Sequence, residues 1–478
     1  MTEETRPTGM TAFIIIWIGQ ILSLLGTAIS QFGLRLWTFD QSGGLATPMT
    51  WIGFSFIVPM IVFTPVVGIL VDRANRKLMM MVSDLAAAFT TLTVLLLFAT
   101  GSLRIWHLYV TAFISGTFQG FQWPAYSAAI SLMLDKKDYT RANAMLGMAG
   151  PASNIFAPVL AGALIGPLGR WAIANLPGLS GQVSGQPGLI VIFVLDLISA
   201  AFAVGTLLFV HIPQPARSEQ DSQARAGFLK QAAFGFDYIF QRPGLLGLQM
   251  IFLIGNFFYV IGFAVRDPMI LARTNSDELI FGSVQTAGAL GGVIGGLIIG
   301  AWGGFRKRIH GVLLGWTLSG LAMVVLGLPQ LSVIWLVGSF ATMAISPLVN
   351  ASNQSIWQEK VPPDIQGRVF ATRRLIAWMV SPIAQAIAGP LADQVFEPLV
   401  RKNTVLSTGL PAWLGRGPGT GMGLQIGLVG ICTLIVGLSG YLFPGIREVE
   451  TLMPDQVESG KSDAADRESA HSEGLGQL

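Results

Sequence analysis

Residues 49–77 read MTWIGFSFIVPMIVFTPVVGILVDRANRK. No side chain from Met49 to Val71 carries a charge, and then Asp72, Arg73, Arg76 and Lys77 arrive together. A helix needs about 20 apolar residues to cross the hydrocarbon core of a bilayer. The stretch therefore predicts a membrane-spanning helix that ends on a tight cationic loop. Working outward, runs of comparable length recur at 12–37, 78–100, 105–133, 144–168 and 188–210, and again at 245–271, 279–301, 309–328, 330–356, 369–394 and 422–443. The reading is all-α: a polytopic membrane protein of 12 transmembrane helices.

Composition agrees. The 478 residues are 52% hydrophobic and only 12% charged, too few charges to clothe a soluble protein of this length. The 57 glycines read as packing residues, because small side chains let helices approach closely where lipid supplies no hydrophobic force between them. The formal charge of +3 does not mark a nucleic-acid binder, since the bases fall in short clusters between apolar runs. The single cysteine, Cys432, excludes an intrachain disulfide and a thiolate metal cluster. Four scattered histidines, with no nucleophile elbow and no phosphate-cradling glycine loop, argue against an enzyme, and no cofactor is expected.

Lysine and arginine accumulate on the cytoplasmic side of membrane proteins. With the N-terminus inside, the inner loops hold Arg73, Arg76, Lys77, Lys136, Lys137, Arg141, Arg306, Lys307, Arg308, Arg368, Arg373 and Arg374. The outer loops hold only Arg104, Arg170, Arg273, Arg401, Lys402 and Arg416. Both termini are thus expected in the cytoplasm, with the first helix retained rather than cleaved. Residues 1–211 form one six-helix bundle in this reading and 244–444 the other. The linker 212–243 carries an amphipathic stripe of Phe228, Leu229, Ala232, Ala233, Phe236, Ile239 and Phe240, expected to lie at the inner membrane interface. The polar tail 445–478 is expected to be disordered.

The bundles echo one another. Asp135-Lys-Lys-Asp-Tyr-Thr-Arg141-Ala-Asn-Ala144 and Pro362-Pro-Asp-Ile-Gln-Gly-Arg368-Val-Phe-Ala371 occupy equivalent junctions. An Ala-Gly pair follows each arginine at the same interval, Ala161-Gly162 and Ala388-Gly389. Internal duplication is a common plan of transporters, with the substrate held at the repeat interface.

Gly68-Ile-Leu-Val-Asp72-Arg73-Ala-Asn-Arg76-Lys77 resembles the signature loop of the major facilitator superfamily, Gly-x-Leu-x-Asp-Arg-x-Gly-Arg-Lys/Arg. Asn75 stands at the usual glycine and is expected to tolerate a left-handed backbone. The resemblance implies a cytoplasmic lock of Gly68, Asp72, Arg73, Arg76 and Lys77, with Asp84, Arg141 and Arg368 in its charge network. The alternative is that the cations only set topology. The matching loop of the second half, Gly303-Gly304-Phe305-Arg306-Lys307-Arg308, keeps the cations but lacks the aspartate. Ser153-x-x-x-Ala157-Pro158-x-x-Ala161-Gly162 is similar to the Gly-Pro antiporter signature of the superfamily, diluted by alanine and serine. It implies a bent, close-packed helix that seals the cytoplasmic leak between the halves, or else ordinary small-residue packing. Gly288, Gly292, Gly296 and Gly300 read as packing alone.

At a finer level the chain resembles the branch containing enterobactin exporters and macrolide efflux proteins. Trp17-Ile-Gly-Gln20-Ile-Leu-Ser23-Leu-Leu-Gly26, Asn350-Ala-Ser352 and Gly367-Arg368-Val369-Phe370 carry that likeness. Thr27 replaces a frequent acid, and Arg35 an uncharged residue. In this fold the first, fourth, seventh and tenth helices line the central cavity. Each bears polar residues at helical spacing: Gln20, Ser23, Thr27, Gln31 and Arg35; Gln119, Gln122 and Tyr126; Asn256 and Tyr259; Asn350 and Asn353. Unpaired polar groups facing lipid cost several kcal/mol each, so these residues are expected to line the cavity or to bond between helices. Amides with aromatic neighbours suit a large, amphipathic, weakly charged solute. Acids inside a membrane are functional candidates by default. Asp196 is the expected proton carrier, with a packing hydrogen bond as its alternative.

The resemblance implies a secondary active transporter in the bacterial inner membrane, exporting an amphipathic small molecule by alternating access and proton antiport. Its partners would be the solute, the lipid bilayer and the proton gradient, with a monomer as the default oligomeric state. An uptake or lipid-flipping permease, or a non-transporting scaffold or sensor, are the rival readings.

Overall fold

The computed structural model describes residues 7–63, 75–135, 138–165, 168, 171, 188–210, 212, 228–328, 330–362, 365–402 and 417–452. The helices follow the expected order. α1 (Gly9–Gln41), α2 (Thr47–Val62), α3 (Arg76–Ala99), α4 (Ile105–Met133), α5 (Tyr139–Ile165) and α6 (Gly188–Phe209) make the first half. α7 (Phe228–Phe240) belongs to the linker. The second half comprises α8 (Pro243–Thr274), α9 (Glu278–Trp302), α10 (Arg308–Gly327), α11 (Ser332–Lys360), α12 (Gln366–Trp378), α13 (Ser381–Pro390), a π-helical turn at Leu391–Phe396, α14 (Glu397–Lys402) and α15 (Thr420–Ser439). Among the described residues, 10 helices are long and apolar enough to cross a membrane, with α12 to α14 counted as one. α2 and α4 fill the second and fourth expected positions.

The packing partners repeat between the halves. α1 lies on α5 and α6, α3 on α6, and α2 on α4; correspondingly, α8 lies on α13 and α15, α10 on α15, and α9 on α11. The halves meet along two equivalent seams, α5 against α9 and α2 against α13.

Glycines set how closely these pairs approach. A Cβ at Gly19, Gly26 or Gly33 of α1 would collide with Thr206, Ser199 and Leu189 on α6. These glycines recur every seventh residue, a stripe readable in the sequence and missed there. On α9 the close approaches are Gly288 to Ser339, Gly291 to the Phe340 backbone and Gly295 to the Ala344 backbone. Gly292 lies 4.0 Å from Met343, and Gly296 and Gly300 meet nothing within 4 Å, so the packing stripe is not the every-fourth series.

Two expectations need correction. The chain after Pro444 does not turn polar and loose at once: Pro444–Arg447 and Val449–Leu452 are short helices, α16 and α17, and Val449 is fully buried. Residues 453–478 lie outside the described part. α7 does not simply float on lipid, for Gly235 packs against Thr372 and the Arg368 backbone of α12.

Candidate functional site

The apolar interior divides unequally. One core draws on both halves, joining Ile29, Phe32 and Ala157 to Val265, Phe281 and Ala388. Two others are confined, one to the first half around Phe13, Met80 and Leu207, the other to the linker and second half around Ile239, Trp316 and Trp357. The shared core lies at the helix ends remote from the termini. The separate cores lie near the start of α1 and the end of α15.

Polar contacts between the halves follow the same division. At the remote end Arg35 Nη1 on α1 donates to Asp267 Oδ2 on α8 at 2.9 Å, and Arg266 Nε donates to Asp267 Oδ1 at 2.9 Å. Ser276 Oγ donates to Asp40 Oδ1 at 2.7 Å. The Asp393 carboxylate, on the π-helical turn, accepts from Ala46 N at 2.9 Å, Thr47 N at 2.8 Å and Thr47 Oγ1 at 2.6 Å. It thereby satisfies amides at the start of α2 that have no intrahelical acceptor. Phe32 and Phe281 meet with ring centroids 4.9 Å apart. One end is therefore closed, and among the described residues the other two cores do not cross between the halves.

The expected cavity residues separate into groups. Gln31, Gln119 and Asn350 are exposed on α1, α4 and α11. Arg35 is not a solute contact in this state but part of the closure. Gln20 and Gln122 are taken up by Asp84: Gln20 Nε2 donates to Asp84 Oδ2 at 2.7 Å, and Gln122 Nε2 to Asp84 Oδ1 at 2.7 Å and to Gln20 Oε1 at 2.9 Å. Tyr126 and Ser23 are buried beside them. Thr27 Oγ1 donates to Asp196 Oδ1 at 3.2 Å, and Thr91 Oγ1 of α3 to Asp196 Oδ2 at 2.9 Å. Asn256 reaches the Ala377 carbonyl at 3.3 Å, where α12 ends, and Tyr259 stacks on Phe263. Asn353 is buried and accepts Trp357 Nε1 at 3.0 Å, so it belongs to the second-half core rather than the cavity wall.

The lock is only partly described. Gly68, Asp72 and Arg73 lie outside the described residues. Lys77 Nζ donates to the Leu208 and Val210 carbonyls at 3.3 and 2.8 Å, holding the end of α6 within its own half. Asn75 is extended, with φ −63° and ψ 113°, and caps α3 by accepting from Leu78 N. Its amide side chain, not a left-handed backbone, explains its presence. Asp84 is 2% exposed and clamped by amides, away from any loop network. Arg141 is exposed, and Arg368 lies over Phe234 of α7.

Ala157, Pro158 and Ala161 sit in the α5 seam at the closed end, with Pro158 against Gly282 of α9. The seal they contribute is thus remote from the termini, opposite to the expectation. Gly162 has open space around it.

Sequence reading missed two sites. Arg373, placed among the loop cations, stands in α12 over Trp357 and Phe370 at 5.4 and 5.1 Å and donates to Gln354 of α11. Its position within the helix was the available signal. Glu450 of α17 accepts Arg308 N and Ile309 N at 3.0 and 2.9 Å, supplying from the tail the acid that loop 303–308 lacks. No local pattern in the sequence pointed to that pairing.

The Major Facilitator Superfamily profile matches residues 16–386. The chain is 26% identical over 387 residues to macrolide efflux protein A of Streptococcus pyogenes, covering 80% of this chain and 90% of that one. It is 24% identical to the multidrug efflux pump Tap of Mycolicibacterium fortuitum over 75% of this chain and 83% of the relative. The inward-facing, unoccupied structure of a bacterial homologue of the human lysosomal transporter Spinster superposes with a TM-score of 0.66 at 14% identity, over 93% of this chain and 98% of that one. With duplicated bundles, paired seams and a match across most of its length, the chain belongs to the major facilitator superfamily.

Proposed function

We propose that this transporter exports a large, weakly charged amphipathic molecule by alternating access, exchanging it for protons in the inner membrane of a bacterium. The observation that carries the reading is the asymmetry of the two ends: one core, one ion pair and hydrogen bonds to Asp393 and Asp40 join the halves at one end, and among the described residues the cores at the other end stay within a half. Such a molecule is poised in one of the two states that alternating access requires. With the basic loops cytoplasmic, the termini lie inside and the open end faces the cytoplasm, where an exporter collects its solute.

Exposed Gln31, Gln119 and Asn350 offer neutral hydrogen bonds, and partly exposed Phe257 and Phe258 offer apolar surface. That mixture favours an amphipathic solute over a small ion, and the likeness to macrolide and multidrug efflux proteins supports the same class and direction. Two deeply buried acids of the first half, Asp196 and Asp84, are available to carry the proton.

The test is accumulation of erythromycin, siderophores and cationic dyes in efflux-deficient bacteria expressing the protein, with and without a protonophore. Reduced accumulation that the protonophore restores is expected. Increased accumulation would indicate uptake, and unchanged accumulation by membrane-inserted protein would favour lipid movement or a scaffold.

A further inference from the structure

We infer that Asp84 is the coupling carboxylate, taking up and releasing the transported proton, and that its protonation opens the contact between α1 and α4. This rests on proton-coupled transport as proposed above. The chemistry of the clamp carries it. Asp84 comes from α3, and its carboxylate joins two helices that line the cavity, through Gln20 of α1 and Gln122 of α4. Among the described residues its hydrogen-bond donors are neutral amides, so burial at 2% exposure leaves the negative charge without a bonded cation. An ionisable group inside a membrane-spanning helix is costly and is a functional candidate by default.

Donor and acceptor counting then links proton to motion. A carboxylate only accepts, and an amide N–H only donates. Gln122 donates both to Asp84 and to the Gln20 carbonyl oxygen, and Gln20 donates to the other Asp84 oxygen, so the triangle closes around an ionised acid. Protonation removes the negative charge and turns one oxygen into an O–H donor with reduced acceptor capacity, which weakens the amide bonds that close the triangle. Gln122 is the member able to move. It is half-buried on α4, one turn from exposed Gln119, and a solute that engages its amide competes directly with Asp84.

Asp196 is built differently. Its partners Thr27 and Thr91 are hydroxyls, which donate to a carboxylate and can turn to accept from a carboxylic acid. Its protonation leaves the α1, α3 and α6 contacts in place, and Gly26 holds α1 tightly against it. Asp196 is a packing acid in this account.

The titratable group facing Asp84 from α4 is Tyr126, whose buried hydroxyl has no hydrogen-bond partner among the described residues. His107 and Tyr109 stand at the far end of α4, Arg35 and Asp40 at the far end of α1, and Asp196 is the acid on α6. On α3 itself Arg76 and Lys77 lie two turns away at the helix start.

The experiment uses the full-length protein in lipid vesicles, with protons as the only probe. Infrared difference spectra across a pH step should show a protonated-carboxyl band that is lost in Asp84→Asn and persists in Asp84→Glu and Asp196→Asn. Spin labels on α1 and α4, introduced after Cys432→Ser, should report a change of separation on the same pH step, absent in Asp84→Asn. Asp84→Glu guards against a misfolded variant. A band that survives in Asp84→Asn, or that is lost in Asp196→Asn, overturns the inference, as does a label separation unaffected by pH. Erythromycin transport by the wild type decides the export reading separately: proton-driven transport without an Asp84 band sinks only the coupling assignment, and an Asp84 band without transport sinks only the export reading.

Discussion

At the end remote from the termini the halves share a core in which Phe32 touches Phe281, and acids on one half bind donors on the other. Toward the termini, Lys77 holds the end of α6 and Glu450 caps α10, each contact falling within one half. A bundle with two separate cores can keep each half folded while the halves rock, whereas the shared core must part whenever the molecule opens the other way. The closed end is therefore the place where substitutions shift the balance of states, and the termini are where they alter the stability of a half.

The largest effect is expected from Asp267→Ala. It leaves Arg266, 6% exposed, without its carboxylate, and removing one partner of a buried ion pair costs about 3–5 kcal/mol. The closed end should open or the protein should lose thermal stability, read by labelling of a cysteine placed at Gly282 in a Cys432→Ser background and by a melting curve in detergent. Asp393→Ala comes next. It removes an acceptor shared by Ala46 and Thr47, and a hydrogen bond to a charged group contributes about 1.5–3 kcal/mol. More than tenfold faster cysteine labelling at the α2 and α13 seam is expected, about 1.4 kcal/mol being a factor of ten. Arg35→Ala should do least, because that side chain is 40% exposed and such a pair contributes about 1 kcal/mol or less. Labelling should rise only a few-fold. If Arg35→Ala exceeded Asp267→Ala, the closure would depend on the α1 charge itself rather than on neutralising Arg266.

These sites also mark how far the sequence could be read. The spans, the duplication and the superfamily were legible because bilayer thickness imposes a length on every helix and repetition imposes a spacing on Arg141 and Arg368. The heptad of Gly19, Gly26 and Gly33 was equally legible once helix pairs were known. The partners of individual side chains were not. Gln20 and Arg35 lie on one stripe of α1, yet the first binds an acid of its own half and the second an acid of the other. Helical periodicity gives the direction in which a residue points, and the arrangement of neighbouring helices decides what it meets. Glu450 shows the same limit from the other side, since an acid in a polar tail carries no sign that it will cap a helix more than a hundred residues earlier.

Export by alternating access, as proposed above, requires the halves to separate at the closed end during each cycle. Asp40 and Ser276, joined there at 2.7 Å, provide the handle. Cysteines at both positions in a Cys432→Ser background, bridged by a short cleavable thiol reagent, should abolish export of erythromycin, and cleavage of the bridge should restore it. Export that continues at the uncrosslinked rate with the bridge intact would contradict the account.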